Sequence, residues 1–242
     1  MDAAQEGDPG PVPDPAPPDP PPLLITEDML APDPDAGKRD FERGMSLAPA
    51  ATLVLIAVNV LVFAWQIATG ALESDERLLA AGALEGAAVG RGEVWRLGTS
   101  MFLHGGVEHL VGNCVALYIL GMAAEHAFGW RRMLPAYLAA GLAGSVASVL
   151  VEPRPTVGAS GAIFGLMGLV IVMLRRNRDR LYVRDRRIGV VLLAWAVWSV
   201  ATGFLDPQVA NFAHLGGFAA GALAALVIRP PLLERDGQAE AA

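Results

Sequence analysis

A serine and a histidine in two glycine-rich apolar segments are the residues of this sequence that could do chemistry together. Ser160 lies near the start of the segment 157–168, and His214 lies near the start of the segment 211–221. A weakly nucleophilic hydroxyl becomes reactive when a neighbouring imidazole takes its proton during attack. The pair therefore predicts acyl-transfer catalysis, with Ser160 as the nucleophile and His214 as the base.

Glycine decides whether these two side chains can meet. Helix faces without side chains allow two backbones to approach until a serine oxygen reaches an imidazole nitrogen. The glycines at helical spacing in the two segments are Gly161, Gly165, Gly217 and Gly221. The same small residues could serve helix packing alone, and a lone histidine could be a hydrogen-bonded packing residue. Placement of both residues at one depth in a membrane would favour catalysis.

Acyl transfer also requires hydrogen-bond donors aimed at the oxyanion. The backbone N–H of Ser160 is one candidate, because it lies at a helix start and has no intrahelical acceptor. His109 and Asn113 are four residues apart, share one helix face and supply the other candidates. The nearest carboxylate before His214 is Asp206, two turns away in a loop. We therefore expect a Ser-His dyad without an acidic third member.

The chain is too apolar for an ordinary soluble domain. Apolar residues make up 53% of its 242 residues, and its mean hydropathy is +0.42, values typical of polytopic membrane proteins. About 20 mostly apolar residues are needed to cross a bilayer. The sequence predicts an all-α bundle with six such transmembrane spans, at 50–70, 107–125, 133–151, 158–175, 188–205 and 209–228.

Basic clusters predict the orientation of these spans. Lysine or arginine precedes the first span, separates the second from the third, recurs seven times within 175–187 and follows the sixth span. All of these clusters fall on one side if the spans alternate, so both chain ends are expected in the cytoplasm. Ser160, His214, His109 and Asn113 then converge near the outer surface. Topology alone accounts for the arginine-rich linker, so no nucleic-acid partner is predicted.

Two terminal segments flank the expected membrane domain, residues 47–229. Residues 1–46 are rich in proline and acid, with nine acidic residues and no lysine or arginine before Lys38. Such a composition cannot bury enough apolar surface to fold, so we expect a disordered cytoplasmic tail. Residues 230–242 are expected to form a short cytoplasmic tail. The single cysteine, Cys114, excludes an intrachain disulfide.

Two other kinds of catalytic site do not fit the sequence. His104, Glu108 and His109 lack the His-Glu-x-x-His spacing of a zinc protease, and the spans hold no paired acids for aspartyl chemistry. Ser160 also lacks a Gly-x-Ser-x-Gly elbow, because residue 162 is alanine. We expect no metal and no cofactor, and we interpret His104 as structural.

Taken in order, the motifs make the chain similar to the rhomboid intramembrane serine proteases over about residues 47–229. The segments that carry the resemblance are 95–96, 102–104, 109–113, 121–132, 158–161 and 213–217. The resemblance implies a six-helix bundle, a first outer loop partly in the membrane surface, a water-filled cavity that reaches Ser160 and lateral entry of transmembrane substrates. Glu125 and Arg132 are expected to pin the turn between the second and third spans.

The resemblance also assigns roles to individual residues. Ser160 and His214 match the nucleophile and the base, and His109, Asn113 and the Ser160 N–H match the oxyanion donors. The positions that would support the site are Gly158, Gly161, Phe164, Gly217 and Gly221. Phe164 stands where many relatives carry a tyrosine that stacks on the catalytic histidine. Stacking would survive this change, and the hydroxyl would be absent.

The predicted function is serine endopeptidase cleavage of single-span membrane proteins, in or near their transmembrane segments. The expected partners are transmembrane protein substrates and the lipid bilayer, and the oligomeric state stays open. High alanine, glycine and arginine content with little lysine favours a bacterial cell membrane as the location. The alternative is a catalytically inactive rhomboid-like protein that binds membrane clients. A small transporter is disfavoured, because the spans show no inverted-repeat spacing.

Overall fold

The computed structural model describes the main chain of residues 35–151, 154–184, 186–205 and 210–234. The elements named below lie in the compact unit that begins at Gly37. The long helices within these ranges are α1 (Ala50–Ala68), α5 (Val107–Phe128), α6 (Trp130–Val151), α7 (Ser160–Arg176), α8 (Arg186–Leu205) and α9 (Asn211–Val227). The short helices between α1 and α5 are α2 (Asp75–Ala80), α3 (Gly86–Gly90) and α4 (Arg96–Thr99).

Several of these helices are suited to a membrane. The segments in the described ranges that are long and apolar enough to cross one are α1 (Ala50–Ala68), α5 (Val107–Phe128), α6 (Trp130–Val151) and Asn211–Leu233, which consists of α9 and the residues after it. The all-α membrane fold expected from the sequence is therefore confirmed, and the chain is an integral membrane protein. The two other expected spans correspond to α7 and α8. Six membrane crossings stay a prediction.

Helix α7 lies at the centre of the bundle. All residues of 161–170 are buried, as expected for a helix that is apolar on every side. It packs against α5, α6 and α9. Because Ser160 is the first residue of α7, this central helix presents the serine hydroxyl at one end of the bundle.

Glycines set the distance between α7 and α9. A methyl group at Gly217 would overlap the carbonyl oxygen of Gly161, and a methyl group at Gly221 would overlap that of Gly165. The close approach predicted from the glycine spacing is therefore present along two successive turns of both helices.

The arginine-rich helix ends meet at the other end of the bundle. Arg176, at the end of α7, donates hydrogen bonds of 3.0 and 2.9 Å to the carbonyl oxygens of Ala225 and Leu226 in α9. Arg132, near the start of α6, donates to the carbonyl oxygen of Arg229. These contacts bring together three of the basic clusters. All three are expected on the same side of the membrane if the spans alternate in direction.

The expected amino-terminal tail is too long. Strand β1 (Arg39–Asp40) pairs in parallel with β2 (Leu181–Tyr182), and Phe41 is 4% exposed. Arg184 Nε also donates to Asp40 Oδ2 at 3.0 Å. The prediction of disorder as far as residue 46 is thus wrong at its end, because these local contacts are invisible in the composition of the whole segment. Residues 1–34 of the expected tail lie outside the described residues.

The expected carboxy-terminal boundary at 229 is also wrong. Leu232 and Leu233 are buried in a 3-10 turn, Pro231–Leu233. Arg39 Nη1 donates to the carbonyl oxygen of Leu232 at 3.0 Å. Residues 230–234 therefore belong to the folded unit, and residues 235–242 lie outside the described residues.

Glu125 and Arg132 connect helices other than those expected. The Glu125 carboxylate accepts hydrogen bonds from the backbone N–H groups of Ala51 and Thr52, at 3.1 and 2.9 Å. It thereby caps the start of α1, where Pro49 offers no side-chain cap. The Arg132 side chain bonds to the Arg229 carbonyl oxygen, just after the end of α9, so both side chains contact residues distant in the sequence.

The loop before α5 is held by one buried arginine. Arg96 Nη1 donates to the carbonyl oxygens of Leu79 and Ala83, and its Nη2 pairs with Glu93 at 2.6 Å. Leu84 of the same loop forms an antiparallel bridge with Thr156. The loop is therefore connected directly to the segment that leads into α7.

Candidate active site

Ser160 and His214 meet where α7 and α9 begin. The Ser160 Oγ lies 2.9 Å from His214 Nε2, within hydrogen-bond distance. His214 is 5% exposed, so the contact is shielded from bulk solvent. The two helix starts deliver one side chain each, and the glycine contact between the helices sets their separation.

The backbone just before Ser160 has a conformation suited to glycine. Gly158 has a φ of +128°, and its N–H donates to the carbonyl oxygen of Ser100 at 2.9 Å. A Cβ at Gly158 would lie 2.8 Å from both Cε1 and Nε2 of His109. Gly158 is therefore required by its dihedral angle and by the closeness of the His109 ring.

Phe164 supports the His214 imidazole from one turn further along α7. The two rings stack with centroids 4.3 Å apart and an angle of 4° between their planes. Trp195 of α8 lies 5.6 Å from the Phe164 ring centroid. Stacking on phenylalanine is thus present as predicted, whereas the contact with Trp195 had no signal in the sequence.

His109 offers a donor towards the backbone that precedes Ser160. The Gly105 N–H donates to His109 Nδ1 across 3.4 Å. A neutral imidazole that accepts at Nδ1 carries its proton on Nε2, and this is an atom that faces Gly158. We assign this tautomer to His109 from the Gly105 N–H contact at Nδ1.

Two further candidate donors differ in their availability. The first backbone hydrogen bond at the start of α7 runs from the Ile163 N–H to the Ala159 carbonyl oxygen. The Ser160 N–H lies before this bond and therefore has no intrahelical acceptor. Asn113 is buried, and its Nδ2 donates to the carbonyl oxygen of His109 at 2.9 Å. One N–H of the Asn113 amide is therefore already used within α5.

The second ring nitrogen of His214 has no carboxylate partner in the part of the chain that the structure describes. His214 Nδ1 is buried there without a hydrogen bond. Asp206, the nearest acid in the sequence, lies outside the described residues. The described geometry is that of a serine-histidine pair.

A small cavity adjoins the Ser160 side chain. Its volume is about 20 Å³, enough for one water molecule. The residues that line it include Ser100, Ser145, Thr156 and Ser160. The hydroxyl-bearing residues in its lining make this cavity suited to a water molecule.

Sequence reasoning missed a polar contact that positions the loop before α5. The Gln66 side-chain amide pairs with the backbone of His104, accepting from its N–H at 2.9 Å and donating to its carbonyl oxygen at 3.1 Å. The His104 ring is fully buried and lies edge-on to His109, with centroids 5.2 Å apart. Burial and the neighbouring His109 lower the pKa of His104 to about 4. A glutamine within a membrane span was the available signal.

Metal chemistry has no visible site in the described ranges. No group of three or more His, Cys, Asp or Glu side chains lies close enough there to hold an ion. The chemistry that the described side chains support is nucleophilic attack by a hydroxyl, with an imidazole base and backbone and imidazole donors beside it.

Comparison with known proteins identifies relatives of this chain. The family model of the Rhomboid domain matches residues 91–231. Rhomboid protease GluP of Bacillus subtilis is 37% identical over 183 residues, which are 76% of this chain and 36% of GluP. RHOMBOID-like protein 5 of Arabidopsis thaliana is 42% identical over 143 residues, 58% of this chain and 46% of the relative.

A shorter relative is covered more fully. The putative rhomboid protease YdcA of Bacillus subtilis is 34% identical over 137 residues, 56% of this chain and 67% of YdcA. By contrast, the matched part of the chain spans less than half the length of GluP and of RHOMBOID-like protein 5.

Proposed function

The chain belongs to the rhomboid family, and from that premise we propose that it is an intramembrane serine endopeptidase with a Ser160–His214 dyad. The observation that carries the proposal is the 2.9 Å contact between Ser160 Oγ and His214 Nε2. The names of GluP and YdcA, rhomboid protease and putative rhomboid protease, support proteolysis as the reaction class. The substrates would be single-span membrane proteins, cleaved in or near the transmembrane segment.

The first half of the reaction forms an acyl-enzyme. Ser160 Oγ attacks the carbonyl carbon of the scissile bond while its proton passes to His214 Nε2. The carbonyl oxygen gains negative charge and accepts hydrogen bonds from the Ser160 N–H and from His109 Nε2, with Asn113 as a third candidate donor. The C–N bond then breaks, and His214 returns the proton to the leaving amine.

The second half releases the acyl group. A water molecule attacks the Ser160 ester while its proton passes to His214, and the ester bond breaks to free a carboxylic acid and the Ser160 hydroxyl. The cavity of about 20 Å³ beside Ser160 has room for such a water molecule. One imidazole therefore serves both steps.

Phe164 would stabilise the charged form of the base. His214 becomes an imidazolium after each proton transfer, and its Nδ1 has no carboxylate partner in the described residues. The face of the Phe164 ring lies against the imidazole, and an aromatic face attracts a cation. This contact supplies part of what an acidic third member would supply.

The substrate must unwind before it is cleaved. A helical backbone keeps its carbonyl groups in internal hydrogen bonds, and within a bilayer few other partners exist. Transmembrane segments with glycine, proline or small polar residues unwind at the lowest cost. We therefore expect cleavage sites in such segments.

Both described chain ends are proposed to face the cytoplasm of a bacterial cell. The basic ends of α7 and α9 meet at one end of the bundle, and an excess of arginine is typical of cytoplasmic loops. Ser160 would then lie near the outer surface. Reporter fusions after Glu234 and within 75–95 should report opposite sides of the membrane.

Two assays on the detergent-solubilised chain test the proposed activity. A fluorophosphonate should label the wild type at Ser160, and a model single-span substrate should be cleaved. Both signals should disappear in Ser160→Ala and fall strongly in His214→Ala. If the wild type neither labels nor cleaves but still retains the single-span protein, the chain is a membrane-client binder and the proposal is wrong.

A further inference from the structure

A second cavity lies at the end of the bundle away from Ser160. Helix α7 has 17 residues, so its two ends are about 25 Å apart. The cavity has a volume of about 610 Å³ and lies between the ends of α7 and α9. Arg176 and Arg180 line it from the α7 side, and Arg229 lines it from the α9 side. This site is separate from the Ser160–His214 pair.

The positive charge of this cavity is largely unneutralised. No carboxylate in the described ranges forms an ion pair with Arg176, Arg180 or Arg229. Glu234 lines the cavity, and its carboxylate lies 3.7 Å from Arg132. Guanidinium groups bind phosphate oxygens through paired N–H donors, so the cavity is suited to a phosphate-bearing anion.

The three arginines are not equivalent. Arg176 Nη1 is occupied by the carbonyl oxygens of Ala225 and Leu226, so this residue serves to cap α9. The Arg180 side chain makes one long hydrogen bond to the described residues, 3.4 Å from Nη2 to the Leu233 carbonyl oxygen. The Arg229 side chain makes no hydrogen bond to the described residues. Arg180 and Arg229 are therefore the groups available to a ligand.

An exposed apolar stripe on α9 leads away from the cavity. Leu226 and Val227 line the cavity and are 53% and 79% exposed. Leu223, one turn earlier on the same face, is 64% exposed. Exposed leucine and valine on a spanning helix contact acyl chains. A free anion would use the arginines alone, whereas a phospholipid would use the arginines and the stripe together.

We propose that this cavity binds the headgroup of an anionic phospholipid. Arg180 and Arg229 hold the phosphate, and one acyl chain lies along Leu223, Leu226 and Val227. Basic pockets between membrane helices on the cytoplasmic side are suited to such headgroups. The proposal does not depend on proteolytic activity.

Native mass spectrometry of the full chain in a neutral detergent tests this proposal, because it measures the binding of individual lipids. Phosphatidylglycerol is titrated against the wild type, and phosphatidylcholine serves as the zwitterionic comparison. Arg180→Gln/Arg229→Gln should bind phosphatidylglycerol at least about tenfold more weakly than the wild type, because two phosphate contacts are lost. The matched control is Arg175→Gln/Arg178→Gln, which removes the same charge from the same end outside the cavity lining. This control should bind like the wild type.

A second variant and two competitors separate the possible occupants. Leu223→Asn/Leu226→Asn keeps every arginine and should also weaken lipid binding, because the acyl chain loses its surface. Thermal unfolding of each variant, measured without lipid, checks that the variant is folded. Equal binding of the two lipids, equal weakening in the arginine control, or binding of glycerol phosphate as tight as that of phosphatidylglycerol would overturn the proposal. So would lipid binding that appears only after removal of residues 235–242, since the chain end would then be the occupant.

Discussion

Phe164 and His214 stack face to face, with ring centroids 4.3 Å apart and planes inclined by 4°. Phe164 is 3% exposed, and its contact with Trp195 of α8 restricts its own movement. The imidazole is therefore oriented by an aromatic ring on the same helix as Ser160. Packing between α7 and α8 thus affects the proposed base, His214, which lies on α9.

Loss of this stacking should slow the chemistry more than it unfolds the protein. Phe164→Leu keeps an apolar side chain of similar volume, and we expect fluorophosphonate labelling of Ser160 to slow by about two- to tenfold, as an aromatic contact of about 0.5–1.5 kcal/mol implies. Phe164→Tyr retains the ring and is the matched control. Equal labelling rates for the leucine and tyrosine variants would contradict this role for Phe164.

Addition of one methyl group at the helix contact should disturb both stability and catalysis. The Cβ of Gly217→Ala overlaps the Gly161 carbonyl oxygen, and overpacking of this kind costs about 1–3 kcal/mol. We expect the unfolding temperature in detergent to fall by several degrees and Ser160 labelling to drop. Gly112→Ala on α5, where a Cβ meets no atom within 4 Å, should leave both measurements near the wild-type values. A Gly217→Ala protein with wild-type stability would show that α7 and α9 separate at little cost.

The candidate oxyanion donors should differ in importance. His109 Nε2 faces Gly158, whereas one N–H of Asn113 is already bonded to the His109 carbonyl oxygen. We therefore expect His109→Ala to lower kcat for a model substrate by about a hundredfold or more, and Asn113→Ala to lower it less. Thermal unfolding of both variants separates loss of a donor from loss of structure. A larger kcat defect in Asn113→Ala would assign the main side-chain donor to the amide.

Acid should destabilise the fold through His104. Its pKa is lowered from 6.5 to about 4 by burial and by the neighbouring His109. Above pH 6.5 the ring is neutral in both the folded and the unfolded chain, so it adds no pH dependence. Between pH 6.5 and 4 only the unfolded chain binds the proton, so the free energy of unfolding falls with falling pH, by up to about 3 kcal/mol.

His104→Phe isolates this contribution. The substitution removes the titrating ring and its two buried nitrogens, which have no hydrogen-bond partner among the described residues, so it should match or exceed the wild type in stability at pH 7. The difference in unfolding free energy between variant and wild type should then widen as the pH falls from 6.5 towards 4. A constant difference across this range would show that His104 is not kept neutral by the fold.

The sequence predicted the parts of the molecule that depend on periodicity. Apolar spans located the long helices to within a few residues, and glycines at helical spacing predicted that α7 and α9 touch. The helix contact and the alternating direction of the spans together predicted that Ser160 and His214 lie at the same level of the bundle. These inferences succeed because membrane helices have few alternatives once their apolar lengths and small faces are set.

The contacts between distant segments were not predictable in the same way. Glu125 was assigned to a turn and instead caps α1, and Phe41 was assigned to a disordered tail and instead is buried. The Glu125 contact depends on partners more than 70 residues away, and the burial of Phe41 accompanies a strand of two residues. Neither feature leaves a periodic pattern in the sequence. Gln66 was overlooked although a polar side chain in a span is a recognisable signal.

The Glu125 carboxylate also has a consequence for biosynthesis. Helix α1 leaves the ribosome before α5, with the N–H groups of Ala51 and Thr52 still lacking the acceptor that α5 supplies 74 and 73 residues later. Until α5 enters the bilayer, that end of α1 relies on water. Insertion of α5 therefore completes α1, and the two helices are best regarded as a single unit of assembly.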